Sequence, residues 1–208
     1  MRIPLVSTAV VAAAVAAMIG LGVWQLQRAA WKKDLLVRYE QALRLPAAAW
    51  PMVPAEPENY YFRKAKGHCL EIAGWRAVAG RNRAAEPGWS HIASCRTGAE
   101  GPGMQVDIGW STSSDAPAWR GGAVAGIIVP DHEYGMRLVA AEAAPGLRPS
   151  APPSPDSIPN NHMLYAIQWF LFAGIAALIY ALALRKKLRE QQAGGERQHG
   201  DTGPAGDG

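Results

Sequence analysis

The sequence predicts an α+β membrane protein, in which two transmembrane helices flank a mainly antiparallel β domain. Three observations carry that reading. Residues 3–26, IPLVSTAVVAAAVAAMIGLGVWQL, and 163–184, MLYAIQWFLFAGIAALIYALAL, hold no charged residue, and each exceeds the roughly 20 residues an α-helix needs to cross a bilayer core. Between them lie short strand-like pieces with glycine-rich turns. Proline clusters set that middle apart from both apolar runs.

Residues 1–26 form the first predicted transmembrane helix. Arg2 and the small residues around Ala12 to Ala17 also suit a signal peptide with its cleavage site. The residues just beyond the apolar run favour an uncleaved anchor. If residues 21–35 stay helical, Leu21, Trp24, Arg28, Trp31 and Leu35 recur at spacings of three and four and share one face. Trp24 and Trp31 suit the headgroup layer, and Arg28 lies one turn from each for stacking. A cleaved leader has no use for such a face. Any anchored protein does, so by itself the face marks a membrane boundary rather than chemistry.

Residues 27–57 continue as an amphipathic helix to about Leu45 and then as a linker, where Pro46, Pro51, Pro54 and Pro57 stop any helix. Residues 58–144 form the β domain. Its strand-like pieces are YYFRKAKGHCLEI, WRAVAGRN, WSHIASCRT, MQVDIGWST, AVAGIIVP and MRLVAAEAA, enough for an antiparallel sheet of five or six strands or a small barrel. STSSDAPAWRGG reads as an exposed loop. Residues 145–161, with six prolines, make a stiff extended lead into the second span, and Asn160 and Asn161 are candidate caps for it. That span covers 162–184. Residues 185–208 are a basic flank and then, from Gln191, a Gly-rich polar tail expected to be disordered.

The net charge of +4 gathers beside the spans rather than along a stripe. No basic surface with interleaved aromatics is legible in the middle domain, so nucleic acid is not an expected partner; the lipid bilayer is. The charges do not orient the protein. Arg2, Arg185, Lys186, Lys187 and Arg189 on the terminal side balance Arg28, Lys32, Lys33, Arg38 and Arg148 on the domain side. Cys69 and Cys95 are the only cysteines. In an oxidising compartment they can form one disulfide, adding roughly 3–4 kcal/mol on the chain-entropy model; as thiols they would be two small buried side chains. Both readings stay open.

His162, in NNHMLYAIQWF, is the candidate for chemistry. An imidazole at a helix start, where partial positive charge gathers, keeps a lone pair for a metal or a hydrogen bond. Tyr165, Trp169 and, less closely, Phe172 lie on its side of the helix, so a flat apolar cofactor has an aromatic face to lie on, with His162 as axial ligand to iron. The bland alternative is a histidine in an interfacial aromatic belt. His91 reads as a sheet or surface residue and His132, in PDHEYG, as a turn residue; neither spacing shows converging metal ligands. Ser111, in GWSTS, misses the last glycine of a nucleophile elbow and has no legible base. Nothing resembles a phosphate-binding loop.

Four stretches resemble the Surfeit locus protein 1 family of cytochrome c oxidase assembly factors. They are GVWQLQRAAWK at 22–32, with Trp24, Gln25, Arg28 and Lys32; YYFRKAKG at 60–67; DIGW at 107–110; and NNHMLYAIQWF at 160–170. The family's usual Asn-Arg-Gly-Trp stands here as Asp107, Ile108, Gly109 and Trp110, so its arginine is absent and an acid holds the first place. The resemblance implies a bacterial inner-membrane protein with two spans, both termini cytoplasmic and the β domain extracytoplasmic, without catalytic turnover. It implies a helper that inserts or stabilises haem a in the oxidase core subunit, with transient haem a contact and haem a synthesis enzymes as further partners. On this chain His162 becomes the iron ligand, and Trp24, Arg28, Tyr165 and Trp169 become cofactor-binding residues. A stable haem carrier is the alternative, followed by an extracytoplasmic sensor or membrane-bound hydrolase. Reporter fusions at residue 100 and at the C-terminus are expected to give opposite signals, extracytoplasmic and cytoplasmic; a cytoplasmic signal at residue 100 overturns the topology.

Overall fold

The computed structural model describes residues 4–52, 55–99, 101 and 103–200, with side chains through residue 192. Ile3 of the first apolar run, Pro54 of the first linker and the tail from 201 lie outside the described residues. The chain divides into two compact units. One joins the residues up to Lys33 with those from Asn160 onward, and the other is Asp34–Pro159.

Two long helices supply the first unit. Helix α1 spans Leu5–Arg44 and α2 spans His162–Gly200. Each contains a segment long and apolar enough to cross a membrane. Many of their apolar side chains point outward, from Leu5, Val10 and Ile19 on α1 to Ile175, Leu178 and Leu182 on α2, as suits a helix exposed to lipid. The 40 residues of α1 rise about 60 Å, twice the hydrocarbon thickness, so the helix carries on well past its apolar run, as the sequence predicts. Helix α2 also runs on, through Gly200, where a disordered tail is expected from Gln191. Once a helix is nucleated each further residue adds one backbone hydrogen bond, and Leu188 to Gln192 are good helix formers.

Within this unit the less exposed residues of α1 recur as Thr8, Val11, Val15, Met18, Gly22, Gln25, Ala29 and Lys32, and those of α2 as His162, Ala166, Trp169, Ala173, Ala176, Tyr180 and Leu184. The steps of three and four are those of a heptad seam. Glycine and alanine let the backbones approach; a Cβ on Gly22 would stand 2.7 Å from the Phe170 ring. Thr8 meets Tyr180 and Gln25 meets His162, so the helices run antiparallel.

In the second unit the last turns of α1 place Tyr39 against the rings of Phe62 and Tyr61, at centroid distances of 4.7 and 6.4 Å. The sheet comprises β1 (Ala48–Ala49), β2 (Lys64–Cys69), β3 (Glu71–Arg81), β4 (Pro87–Arg96), β5 (Met104–Ser111), β6 (Gly122–Asp131) and β7 (Gly135–Ala140), in the order β1-β2-β6-β7-β5-β4-β3. The β1–β2 and β5–β7 pairings are parallel and the other four antiparallel, so mainly antiparallel is right. The two-residue β1 falls in the segment expected to be linker.

Only Leu70 separates β2 from β3. The stretch 64–81 is one strand with a bend, paired to β6 before Leu70 and to β4 after it, so the sheet order begins and ends, β1 aside, in halves of the same strand and the sheet wraps into a small barrel. Cys69 and Cys95 are joined as a disulfide at the bend, settling the alternative left open by the sequence. One face of the sheet holds the core, including Ala93, Met104, Val106, Ile108, Ile128 and Leu138. Asp107 and its register partners Ile92 and Val139 alternate to the opposite face, which is also buried.

At Gly126 the β6–β7 pairing has no room for a side chain: an added Cβ would collide with the Val139 carbonyl oxygen and lie 3.0 Å from the Ala140 Cα, both backbone. Gly126→Ala is therefore expected to destabilise the β domain by about 1–3 kcal/mol or more. Gly74, with nothing within 4 Å, is the control. Thermal unfolding of both variants as full chains checks this, with a large loss expected only for Gly126→Ala.

Candidate functional site at the start of the second helix

The chain enters α2 from a Pro-rich segment with six prolines that is extended apart from a turn at 145–146 and a short 3-10 turn, Pro155–Ser157. The expected caps divide their work. Asn161 takes the cap position, its carbonyl accepting from the N–H groups of Leu164 and Tyr165. Asn160 instead reaches across the seam and donates its amide to the Ala29 carbonyl at 3.4 Å. Its Oδ1 is buried without a hydrogen-bond partner among the described residues.

His162 is the first residue of α2 and lies half-buried in the seam. Its Nδ1 is 2.8 Å from Gln25 Oε1. Gln25 is the residue that reading by residue type passes over as a site member; the signal for it is an uncharged amide between Gly22 and Ala29 on the same helix stripe. The expected aromatic face is divided. Trp169 follows His162 in the seam and meets the Phe172 ring edge-on at 6.3 Å, while Tyr165 and Phe172 stand on the outward flank, about half exposed. The physical reason is the seam's period of 3.5, which turns Ala166 rather than Tyr165 toward α1.

Trp24 and Arg28 lie on the flank of α1 just outside the seam. The Arg28 guanidinium sits 4.9 Å from the Trp31 ring centroid, the stacking that the spacing predicts. Trp24 is half exposed. In an antiparallel pair, residues that precede a seam position on either helix fall on the same side, so Arg28, one before Ala29, and Tyr165, one before Ala166, share a flank at different levels of the seam. The structure thus joins His162 to Gln25 directly and sets Arg28 and Tyr165 along one edge of that pair.

The β domain carries a second polar cluster, around Asp107. Ser150 donates to its Oδ1 at 2.7 Å and the Gly109 N–H donates to the same atom at 3.1 Å. Gly109 has φ +139°, and a Cβ there would stand 2.9 Å from the Arg148 carbonyl oxygen, so glycine is required. The carboxyl borders a cleft of about 480 Å3 with Val78, Ser90, Arg137 and Pro152. Burial pushes Asp107 above the ordinary carboxylate range, against the hydrogen bonds from Ser150, Gly109 and Ser90 and the charge of Arg137. At Asp131 burial also pushes upward, but hydrogen bonds from Arg76, the Tyr134 and Glu133 N–H groups and Arg137 outweigh it and hold that carboxylate below its usual value.

A histidine and a serine also meet in the β domain, without the hydrogen bonding that would activate a nucleophile. His91 is a buried sheet residue whose Nε2 lies 2.8 Å from Ser111 Oγ, a closer approach to a base than the sequence reveals. Ser111, however, spends its one hydroxyl proton on the Ser113 carbonyl at 2.7 Å, so the imidazole must donate to it rather than accept from it. His132 lies in the exposed β6–β7 turn, as expected. Among the described residues no group of three or more metal-binding side chains converges.

These features define a class: an α+β protein with two membrane-spanning helices and a small β-barrel domain between them. Residues 12–174 match the SURF1 family, to which the chain belongs. That family is known for cytochrome oxidase assembly factors and is not a known class of enzymes. Comparison with individual curated proteins gives no significant match.

The two buried carboxyls predict opposite pH dependences. For Asp107, raised in the folded state, the unfolded chain releases its proton first, so stability falls as pH climbs from the unfolded carboxylate value, about 3.9, through the raised folded one. Asp107→Asn is expected to raise the melting temperature at neutral pH and to match wild type at acid pH. Asp131, lowered in the folded state, contributes stability above the unfolded value that is lost as pH falls through the folded one. Asp131→Asn is expected to destabilise at neutral pH only. Melting temperatures across the pH range check both signs.

Proposed function

We propose that this chain assists cytochrome c oxidase assembly by holding haem a transiently beside the start of α2, with His162 as the iron ligand. The observation that carries the reading is a half-buried imidazole at the head of an apolar helix pair, with one ring nitrogen engaged by Gln25 and the other unclaimed among the described residues. The residues present fit the group. An imidazole is a common axial ligand to haem iron, the outward flanks are apolar and aromatic, and a buried acceptor without a partner, Asn160 Oδ1, lies two residues away. When bound, haem a would supply the iron centre that the oxidase uses; the chain's part is to hold it and give it up.

In this reading His162 ligates, Trp169 and Tyr165 offer ring surface, and Trp24 adds an apolar wall from α1. Arg28 supplies a guanidinium on the same flank as Tyr165, suited to a carboxylate such as a haem propionate through two charge-assisted hydrogen bonds. Both termini are cytoplasmic and the β domain extracytoplasmic, at the membrane face where the oxidase core subunit is assembled. That subunit is the receiving partner and the haem a synthesis enzymes are the donors. The weak hold that a single protein ligand gives suits a delivery site better than a permanent carrier.

His162→Ala is expected to abolish the haem absorbance that co-purifies with the protein while leaving membrane insertion unchanged, because one residue at the edge contributes little to a span of apolar positions. Arg28→Ala is expected to weaken haem retention without removing the ligand-field signature. Absorption spectra of protein purified from native membranes, together with oxidase haem content, decide the matter. Wild-type haem levels in both variants would remove the pocket and leave the assembly role to the β domain.

A further inference from the structure

We infer that Gln25 is a positioning residue that fixes the tautomer of His162 and so decides which ring nitrogen is free to ligate. The inference rests on the reading of His162 as an iron ligand, but concerns a separate property of the chain. Gln25 Oε1 is a carbonyl oxygen and can only accept a hydrogen bond. At 2.8 Å from His162 Nδ1, it places the proton of the neutral ring on Nδ1. The lone pair then stays on Nε2, the nitrogen turned away from Gln25.

The surroundings argue that this is what Gln25 is for. Its nearest seam neighbours on α1 are Gly22 and Ala29, and an amide between them costs stability unless it is hydrogen-bonded. An apolar side chain would fill the same place. The low dielectric between two lipid-facing helices strengthens the hydrogen bond, and the seam holds Gln25 on a rigid element. A ligating imidazole whose other N–H is held by a carbonyl or carboxylate is oriented as well as protonated at a fixed atom, and loss of such a partner typically costs about 10–100-fold in metal affinity. The competing use of a buried polar pair is to set helix register. The Thr8–Tyr180 and Asn160–Ala29 contacts pin the same seam at other levels, so register does not depend on Gln25.

The test uses the full chain, labelled with 15N-histidine, in lipid nanodiscs at alkaline pH where imidazole is neutral, with ferric haem b as the titrated probe. Two-bond proton–nitrogen spectra read the His162 tautomer without any haem. Wild type is expected to carry the proton on Nδ1. Gln25→Leu is expected to shift it toward Nε2 and weaken haem binding by about 10–100-fold, with helicity unchanged. Gln25→Glu, whose carboxylate still accepts from Nδ1–H, is expected to restore both readouts. A wild-type proton on Nε2, or a Gln25→Leu variant with unchanged tautomer and affinity, overturns the inference. If the tautomer responds as expected and no variant binds haem, the role of Gln25 in orienting the ring stands and the iron-ligand reading falls.

Discussion

Between Lys64 and Arg81 one stretch of chain hydrogen-bonds to β6 on one side of Leu70 and to β4 on the other, and the arrangement of the β domain depends on that bend. A strand that changes partner partway carries its own sheet round toward a barrel. The bend also fixes register. A slip of one residue would turn every side chain of β4 and β5 to the other face, exchanging Val106 and Ile108 for Asp107. The disulfide between Cys69 and Cys95 ties the end of β2 to β4, and the glycine at 126 holds β6 against β7 at a distance no other residue allows.

The same alternation explains why two aspartates with opposite electrostatics stand in one small domain. Asp131 is a charged hub: Arg76 and Arg137 both reach its Oδ2, and backbone N–H groups of the β6–β7 turn fill its other oxygen. Asp107 has hydroxyl and amide donors instead of a direct cation, so desolvation wins there. Ser150 ties the extended segment before α2 to the sheet through Asp107, a structural use for a buried acid.

The helix pair relies on a different constraint. In lipid the hydrophobic effect gives helices no reason to associate, so close backbone approach and a few polar contacts must do it. Gly22, Ala29, Ala166 and Ala173 provide the approach, and Thr8–Tyr180, Gln25–His162 and Asn160–Ala29 provide the contacts. Two of those three lie within a few residues of where α2 begins, concentrating polar atoms at one end of an otherwise apolar pair.

Composition and periodicity by themselves determined the two spans, the six main strands, the loop around Trp119, the turn at His132 and the singling out of His162, because apolar run length, strand alternation and turn residues are local signals. Sequence resemblance determined the family. Only the tertiary structure decided that β2 and β3 are one bent strand, since Leu70 looks like any strand residue until its two partners are known. It decided that Cys69 and Cys95 are bonded, that Asp107 is buried on the sheet's second face, and that Asn160 spans the seam rather than capping α2. It also decided that His162 faces Gln25 rather than the ring of Tyr165. That last difference is one of period: a lone helix read at 3.6 residues per turn places Tyr165 beside His162, whereas a helix committed to a partner at 3.5 turns Ala166 and Trp169 inward with it, and the partner lies 137 residues away in the chain.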